Sequence, residues 1–252
     1  MTNTQSLPPF TALATIYEQA GFSEASTTLA SHILDIAYEL EWTGRTVLDL
    51  GTGTGPVANW FAGRRFRAFG VDTAEPMLAY GRAYAEQAGI DSTFIVGDIR
   101  TYQPEIPFDL VTCIGTLNYM TNLEEVGAVF KVAAAALPPT KLFFFDLRTI
   151  YGLAHSPEGM IADNGITYAV YAKQDFSYET LALTTQYTLY FTQRGTWQRA
   201  EEMHLRRGYP VQAILRRLTA AGFRTERIVG PDLETAEGKD DLPQILFVAR
   251  RV

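Results

Sequence analysis

Three glycines in one short stretch of the chain have the spacing of a ligand-binding turn. An apolar run at residues 47–50 leads directly into Gly51, Gly53 and Gly55. Glycine at such positions lets the backbone turn sharply and approach a ligand without side-chain obstruction. A helix predicted to begin near Pro56 would offer unpaired N–H groups to that ligand. The same residues also suit a plain strand-to-helix turn, so the turn alone does not identify a ligand site.

Two aspartates stand where further predicted strands end. Asp72 follows the apolar run 69–71 and lies 21 positions after Gly51, about the offset at which an acidic residue reaches a ribose hydroxyl. Asp98 follows the run 93–96, and its carboxylate could accept a hydrogen bond from an adenine amino group. Because parallel strands bring their carboxyl ends to one edge of a sheet, we expect the turn and both aspartates to converge there.

Three other nucleotide-binding signatures are absent from the sequence. The nicotinamide-dinucleotide fingerprint needs Gly or Ala at the position of Pro56. No lysine has a tyrosine four positions before it, and no Gly-Lys-Ser/Thr phosphate loop occurs. The turn therefore fits a nucleoside with an amino-acid tail better than one with pyrophosphate, and an oxidoreductase is the weaker interpretation.

The elements that must position these residues alternate between two periodicities. Short apolar runs are separated by stretches with helical spacing of apolar residues, and two further strands follow a predicted helix at 210–221. The strands are predicted near residues 46–50, 69–71, 93–96, 110–114, 142–145, 224–229 and 244–249. Such alternation is typical of a parallel sheet covered on both faces, and right-handed crossovers make it doubly wound. We therefore predict an α/β fold with a doubly wound, mostly parallel seven-stranded sheet.

Residues 151–209 differ in composition from the rest of the chain. From about residue 166 they are rich in Thr, Tyr, Val and Leu, which extended strands prefer. We interpret them as an antiparallel β insertion over the active site. Within it, Glu202, His204 and Arg206 are expected to share one face of a strand, because side chains alternate between faces.

Composition and charge limit the classes of function. The chain has 252 residues, is 47% hydrophobic and 19% charged, and carries a net charge of −7, which disfavours a nucleic-acid partner. One cysteine excludes an internal disulfide and a multi-thiolate metal site. Neither a signal-peptide pattern nor an apolar run of roughly 18–20 residues is present. We expect a single cytoplasmic domain, 1–252, with an N-terminal arm or cap at 1–24 whose first nine residues are loose. We expect no metal or membrane partner, and a monomer or homodimer.

Three successive segments resemble motifs of the class I S-adenosylmethionine (SAM)-dependent methyltransferases. They are residues 47–55 (VLDLGTGTG), 70–78 (GVDTAEPML) and 96–100 (VGDIR). The resemblance extends over nearly the whole chain, including the two closing strands. Two positions depart from the family pattern. Thr52 replaces the usual small residue or Cys, and Pro-Pro-Thr at 138–140 replaces the usual Pro-Gly-Gly before the fifth strand.

The resemblance implies a set of SAM-binding residues, with S-adenosylhomocysteine as the product. The glycine-rich turn would wrap the methionine portion, and Asp49 would support its ammonium group. Asp72 would hold the ribose diol and Asp98 the adenine amino group. The full implied set is Tyr17, Asp49, Gly51, Thr52, Gly53, Gly55, Asp72, Thr73, Met77, Asp98, Ile99 and Cys113. Cys113 lies inside an apolar strand, where a cysteine is most often a small buried hydrophobe.

A narrower resemblance concerns the methyl acceptor. Residues 115–120 (GTLNYM) and 200–209 (AEEMHLRRGY), with the insertion, are similar to small-molecule methyltransferases that include sugar-amine and glycine N-methyltransferase-like enzymes. We therefore predict in-line transfer of a methyl group to a small-molecule acceptor, at nitrogen rather than oxygen. A SAM-binding sensor or assembly protein without catalysis is the alternative.

Five residues are candidates for the acceptor site, and each has a structural alternative. Tyr17 resembles a tyrosine that closes over SAM, and its alternative is an aromatic residue packed on the core. Arg148 resembles an arginine that anchors a substrate carboxylate, for which a guanidinium fork is suited, and its alternative is a surface ion pair. Asn118 and Tyr119 follow the fourth strand and either orient the acceptor or cap the loop. His204 either assists deprotonation or positioning of the acceptor, or only stabilises the insertion.

Overall fold

A computed structural model describes residues 5–162, 167–193, 195–236 and 241–252. The strands are β1 (Gln5–Leu7), β2 (Thr46–Leu50), β3 (Arg67–Asp72), β4 (Ser92–Val96), β5 (Leu110–Cys113), β6 (Leu142–Arg148), β7 (Gly159–Ala162), β8 (Tyr168–Ser177), β9 (Ala182–Gln193), β10 (Thr196–Arg207), β11 (Phe223–Val229) and β12 (Gln244–Arg251). The α-helices are α1 (Glu24–Glu39), α2 (Pro56–Ala62), α3 (Glu75–Ala88), α4 (Leu123–Ala136), α5 (Ile150–Ala154) and α6 (Val211–Ala220). The start of the predicted arm, at 1–4, and the predicted onset of strand composition, at 166, lie outside the described residues.

Seven strands form the main sheet, in the order β11-β12-β6-β5-β2-β3-β4. The strands from β6 to β4 are mutually parallel, whereas β12 runs antiparallel to both of its neighbours. The chain proceeds from β2 outward to β3 and β4, and then returns to the other side of β2 with β5. The predicted doubly wound, mostly parallel α/β sheet is confirmed, and its topological switch point lies between β2 and β5.

Consecutive phenylalanines in β6 show why the sheet is covered on both faces. Phe143 and Phe145 pack with Phe130 of α4 on one face. Phe144 packs with Phe61 of α2 in a separate core cluster on the other face. Because successive side chains of a strand point to opposite faces, a wholly apolar strand requires helices on both sides.

A second sheet contains the predicted insertion, in the order β1-β10-β9-β8-β7. The pairs from β10 to β7 are antiparallel, whereas β1 runs parallel to β10, pairing residues 5–7 with 200–202. The expectation that the first nine residues are loose is therefore wrong for residues 5–7. The edge of β10 offers unpaired N–H and C=O groups that the N-terminal chain satisfies, and no local pattern reveals such a long-range pairing.

The inner face of this second sheet packs against the N-terminal segment. Val170 and Leu189 of the sheet form one apolar cluster with Ala12, Leu13 and Ile16. Among the described residues, no helix is both long enough and apolar enough to cross a bilayer. No cluster of His, Cys, Asp and Glu that could hold a metal ion occurs among them either.

Candidate active site

A cavity of about 650 Å³ opens where β2, β3, β4 and β5 end. This volume lies within the range of about 300–1,000 Å³ that is usual for small-molecule sites. The glycine-rich turn, the segments that follow β3 to β5 and residues 8–11 of the N-terminal segment form its walls. The predicted cofactor residues that line it are Tyr17, Asp49, Gly51, Thr52, Gly53, Asp72, Thr73, Met77, Asp98 and Ile99. The carboxyl edge of the sheet thus brings together ten of the twelve predicted residues.

The glycine-rich turn adopts backbone angles that favour glycine. The φ angle is +73° at Gly51, +58° at Gly53 and +78° at Gly55. A Cβ atom on Gly51 would lie 2.3 Å from Thr116, and one on Gly55 would lie 2.4 Å from the Phe94 ring. Gly55 packs on Phe94 and is not among the cavity-lining residues. It therefore supports the shape of the turn from below, whereas the two earlier glycines face the cavity.

A buried carboxylate closes the base of the cavity. Asp49 accepts hydrogen bonds from the hydroxyl groups of Thr112, at 2.7 Å, and Thr52, at 2.6 Å. Burial raises the pKa of the Asp49 carboxyl to about 6, and the two hydrogen bonds oppose that rise. Within the described ranges, no Lys, Arg or His side chain pairs with Asp49. This carboxylate is therefore suited to pair with a cationic group of a ligand.

Asp72, at the end of β3, ties the glycine-rich turn to the start of α3. Its Oδ2 accepts the N–H of Gly53 and its Oδ1 accepts the N–H of Ala74, both at 2.8 Å. Burial raises the pKa of Asp72, and the backbone hydrogen bonds counteract that effect. Each carboxylate oxygen can accept two hydrogen bonds, so each retains capacity for a ligand hydroxyl.

Asp98 has a partner that the sequence did not predict. The Arg100 backbone N–H donates to Oδ1 at 2.9 Å, and its guanidinium Nη2 donates to Oδ2 at 2.6 Å. These hydrogen bonds from Arg100 lower the pKa of Asp98. Arg100 also forms an ion pair with Glu125 at 2.6 Å and lines the cavity. The guanidinium therefore belongs to the cavity wall and keeps Asp98 ionised.

Two of the five candidate acceptor-site residues, Tyr17 and Tyr119, line the cavity. The Tyr17 ring packs against Phe22 with centroids 5.4 Å apart. The Tyr119 hydroxyl lies 3.1 Å from Nδ1 of His204. Burial raises the pKa of Tyr17 and the pKa of Tyr119 above their ordinary value. Both phenols are therefore neutral near pH 7 and act as hydrogen-bonding groups.

Asn118 and Arg148 lie outside the cavity lining and join the two sheets. The Asn118 amide donates to the carbonyls of Arg148, at 3.0 Å, and Arg207, at 2.8 Å, and accepts the Arg148 N–H at 2.9 Å. The Arg148 guanidinium donates to the Gly152 carbonyl at 2.8 Å. Burial, and then the nearby Arg206, lower the pKa of Arg148. In this structure both residues hold the framework behind the site.

Replacing Asn118 by alanine is expected to lower the free energy of unfolding by about 1–3 kcal/mol. The substitution leaves the Arg148 N–H and the Arg207 carbonyl without their partner at the junction of the sheets. Urea denaturation measures the change. The control Gln186→Ala alters an exposed position on β9 and is expected to change stability by less than about 0.5 kcal/mol. Equal stability of both variants would contradict the joining role of Asn118.

His204 and Cys113 are fully buried and are not among the residues that line the cavity. The Phe10 ring packs edge-on against His204 with centroids 4.7 Å apart, so this histidine connects to the cavity through Tyr119 instead of facing an acceptor. Cys113 packs in the core between sheet and helices, and burial raises the pKa of its thiol well above the ordinary value. Its placement fits the small buried hydrophobe rather than the implied cofactor contact.

The N-terminal segment contributes cavity-lining residues that the sequence did not single out. Residues 8–11 line the cavity, and the carboxylate of Glu202 on β10 anchors the same segment. Glu202 accepts the N–H groups of Phe10 at 2.8 Å, Ala12 at 2.5 Å and Leu13 at 2.9 Å. The only feature of the sequence that could have indicated this anchor is an acidic residue on the inner face of a predicted strand.

Two further carboxylates shape the turns around the cavity. Asp146 in β6 accepts the N–H of Gly115 at 2.6 Å and a hydrogen bond from the Gln244 amide. Burial raises the pKa of Asp146 to about 6. Glu18 in the N-terminal segment accepts a hydrogen bond from the Thr54 hydroxyl in the glycine-rich turn. The turns after β2 and β5 are thus each held by a carboxylate from elsewhere in the fold.

Similar sequences are methyltransferases. Residues 47–140 match the family model described as a methyltransferase domain. A protein of Geobacillus sp. (strain WCH70), named as a methyltransferase with no stated acceptor, is 29% identical over 82% of this chain and 85% of its own length. A ubiquinone biosynthesis O-methyltransferase of Idiomarina loihiensis is 35% identical over 42% of this chain and 43% of its own length.

Solved structures of methyltransferases share the fold over almost the whole chain. A SAM-dependent methyltransferase from Clostridium acetobutylicum ATCC 824 superposes with a TM-score of 0.82 at 18% identity, covering 96% of this chain and 98% of its own. A sugar N-methyltransferase from Streptoalloteichus sp. ATCC 53650 gives a TM-score of 0.78 at 16% identity, with 100% and 97% covered. At these identities the likeness concerns the fold, and it confirms the Rossmann-like arrangement.

The matched domain covers residues 47–140, and the solved methyltransferase structures share the fold of the whole chain. This protein is a SAM-dependent methyltransferase. The cavity suits that cofactor because its base is a buried carboxylate without a cationic partner among the described residues. Gly51 and Gly53, both with positive φ, leave their part of the wall free of side chains. The predicted enzyme class and cofactor are confirmed.

Proposed function

We propose that this enzyme methylates a small molecule at nitrogen. The observation that carries the proposal is the composition of the cavity wall: residues 8–11 and Tyr17 line it together with the glycine-rich turn. A cavity of about 650 Å³ that is walled in this way suits a small acceptor beside the cofactor. Nitrogen is favoured because a neutral amine attacks with its own lone pair and an ammonium group loses its proton more readily than a hydroxyl does. The tyrosines at the cavity are neutral groups rather than strong bases.

We infer that SAM is held by the residues at the ends of β2, β3 and β4. Asp49 would pair with its ammonium group, Asp72 with its ribose hydroxyls, and Asp98 with Ile99 would bind the adenine. The backbone of the glycine-rich turn would lie along the methionine portion. When bound, SAM supplies a methyl group that is already activated by the positive sulfur.

The chain itself has to align the acceptor and exclude water. A nucleophile at roughly 3–3.5 Å from its target, in line with the leaving group, gains most from such alignment. We assign orientation of the acceptor to Tyr17 and Tyr119, and water exclusion to residues 1–24 acting as a cap. The insertion, residues 151–209, holds that cap through β1 and Glu202. Asn118 and Arg148 position the loop that carries Tyr119.

The affinity for S-adenosylhomocysteine is expected to fall as the pH decreases below about 6. The free enzyme holds a proton on Asp49 below a pKa of about 6, and the ligand's ammonium group favours the ionised form. The complex therefore binds fewer protons than the free enzyme, so affinity falls by up to about tenfold per pH unit below that pKa. Calorimetric titrations between pH 5 and 8 measure the effect.

Two variants make this pH dependence specific. Asp49→Asn removes the titrating group and is expected to bind more weakly at pH 8 with little change down to pH 5. Asp91→Asn, at an exposed position, is expected to retain the wild-type dependence. An Asp49→Asn enzyme with the full wild-type slope would show that Asp49 does not pair with the ammonium group.

A paired panel of acceptors tests the proposed reaction. Glucosamine is compared with glucose, and glycine with glycolate, with formation of S-adenosylhomocysteine as the readout. We expect the amine of at least one pair to exceed its hydroxyl partner tenfold or more in kcat/KM. Faster turnover of the hydroxyl partner would contradict N-methylation, and no turnover of any compound despite SAM binding would favour the sensor.

A further inference from the structure

A buried row of polar groups leads from the cavity into the insertion. Tyr119 lines the cavity, and its hydroxyl lies 3.1 Å from Nδ1 of His204. Nε2 of the same ring lies 3.1 Å from Oε2 of Glu202. The side chains of His204 and Glu202 are both 0% exposed. Glu202 is also hydrogen-bonded to three N–H groups of the N-terminal segment, so its carboxylate is fixed in place.

The chemistry of the two end groups sets the direction of the hydrogen bonds. An ionised carboxylate only accepts, so Nε2 of His204 carries the ring proton and donates it to Glu202. The lone pair on Nδ1 then accepts the hydroxyl proton of Tyr119. With its proton turned toward His204, the Tyr119 oxygen keeps its lone pairs free to accept from a group in the cavity.

The surroundings of His204 isolate this row from water. The Phe10 ring packs edge-on at 4.7 Å between centroids, and the Tyr187 ring does the same from β9 at 5.0 Å. The titratable and charged groups that face the histidine are Glu202 and Arg206 on its own strand, Tyr187 on β9 and Tyr119 from the segment after β5. Among these, Glu202 supplies the only negative charge.

We propose that Tyr119, His204 and Glu202 form a proton relay for a methyl acceptor that arrives with a proton on its nucleophile. The proton of the acceptor passes to the Tyr119 oxygen while the Tyr119 hydroxyl proton passes to Nδ1 of His204. The lone pair released on the acceptor nitrogen forms the new bond to the methyl carbon, while the bond from that carbon to the sulfur of SAM breaks and its electron pair leaves with S-adenosylhomocysteine. His204 becomes an imidazolium whose charge is paired with Glu202, and the reverse transfers return the proton to water after the product leaves.

This relay rests on the proposed function. It also assigns roles to two residues, His204 and Glu202, that do not contact the acceptor. Tyr119 is the catalytic residue because it alone of the three lines the cavity. His204 stores the proton without touching the acceptor. Glu202 is a positioning residue that fixes the ring and compensates its charge.

Kinetics of Tyr119→Phe and His204→Gln test the relay with the amine of the panel that is turned over fastest. At pH 6.5, where the amine is protonated, we expect kcat to fall by about 10²- to 10⁴-fold and KM to change by less than about threefold. The deficit should shrink as the pH rises, because the amine then loses its proton to water. Tyr171→Phe and His155→Gln, both at exposed positions, should behave as wild type. A deficit of equal size at every pH, or no deficit, would overturn the relay.

Nitrogen NMR of the imidazole rings tests the same row without an acceptor. The chain has three histidines, and the signals missing in His204→Gln identify His204. We expect the tautomer protonated at Nε2, and a change in the Nδ1 shift in Tyr119→Phe that is absent in Tyr171→Phe. The tautomer protonated at Nδ1, or an Nδ1 shift indifferent to Tyr119→Phe, would overturn the relay. Because no substrate is involved, this result is independent of whether the acceptor is an amine.

Discussion

Asp72→Ala is expected to weaken the binding of S-adenosylhomocysteine by about 100-fold or more. Hydrogen bonds to a charged group contribute about 1.5–3 kcal/mol each, and a tenfold loss of affinity corresponds to about 1.4 kcal/mol. The substitution removes the acceptor for the ribose hydroxyls. It also frees the N–H groups of Gly53 and Ala74 that shape the turn. Isothermal titration calorimetry measures the change.

Asp98→Ala provides the matched comparison for Asp72. Asp98 is only half-buried, and its carboxylate already accepts hydrogen bonds from Arg100. Its removal is therefore expected to cost less binding free energy than the removal of Asp72. We expect a loss of affinity of about tenfold or less, since a contact of a partly exposed charge that is already paired with Arg100 is worth little. A larger loss for Asp98→Ala than for Asp72→Ala would contradict the ranking that the burial of the two carboxylates implies.

Glu202→Ala is expected to lower the free energy of unfolding by about 3–5 kcal/mol. Its carboxylate is fully buried and accepts from three backbone N–H groups and from the His204 ring. Without it, those donors lose their partner and the N-terminal segment loses its anchor over the cavity. Urea denaturation gives the stability, and limited proteolysis should show earlier cleavage within residues 8–22.

The neighbouring residue offers a control on the same strand. Glu201 pairs with Arg199 at a partly exposed position, so Glu201→Ala is expected to cost less than about 1 kcal/mol. If Glu202→Ala fails to fold, Glu202→Gln retains an acceptor oxygen and should show the same shift of proteolysis to the N-terminal segment. Wild-type stability of Glu202→Ala would contradict its role as the anchor.

Much of the fold could be predicted from the sequence because the strands of the main sheet are short and apolar on both faces. Phe143, Phe144 and Phe145 illustrate this, since a run without alternation fits only a sheet covered by helices on both sides. The right-handed crossover rule then leaves few topologies. The seven strands and the antiparallel insertion follow from these local patterns.

The cofactor side of the site was predictable because the carboxyl ends of parallel strands converge. Asp49 and Asp72 therefore lie at the cavity as the topology requires. Two details could not be predicted from local sequence patterns. Gly55 faces Phe94 instead of the cavity, and Arg100 uses part of the hydrogen-bonding capacity of the Asp98 carboxylate. The first depends on the backbone conformation of the turn at Gly55, and the second on the direction that the Arg100 side chain takes. The strand pattern encodes neither.

The acceptor side was less predictable because its contacts join distant parts of the chain. Glu202 binds Leu13 across 189 positions, and Asn118 binds Arg207 across 89. Neither pairing has a periodic signature, since each involves a single polar side chain and a backbone group. His204 was singled out by its residue type, but only the packing of Phe10 and Tyr119 shows that it lies behind the cavity wall.

A crystal structure of the complex with S-adenosylhomocysteine tests the central claim most directly. We expect the ligand in the cavity that the glycine-rich turn and residues 8–11 line, with its ribose hydroxyls on Asp72 and its ammonium group at Asp49. The Tyr119 hydroxyl should remain on Nδ1 of His204. A ligand bound elsewhere, or bound in the cavity with Asp49 and Asp72 both out of hydrogen-bonding distance, would contradict the account.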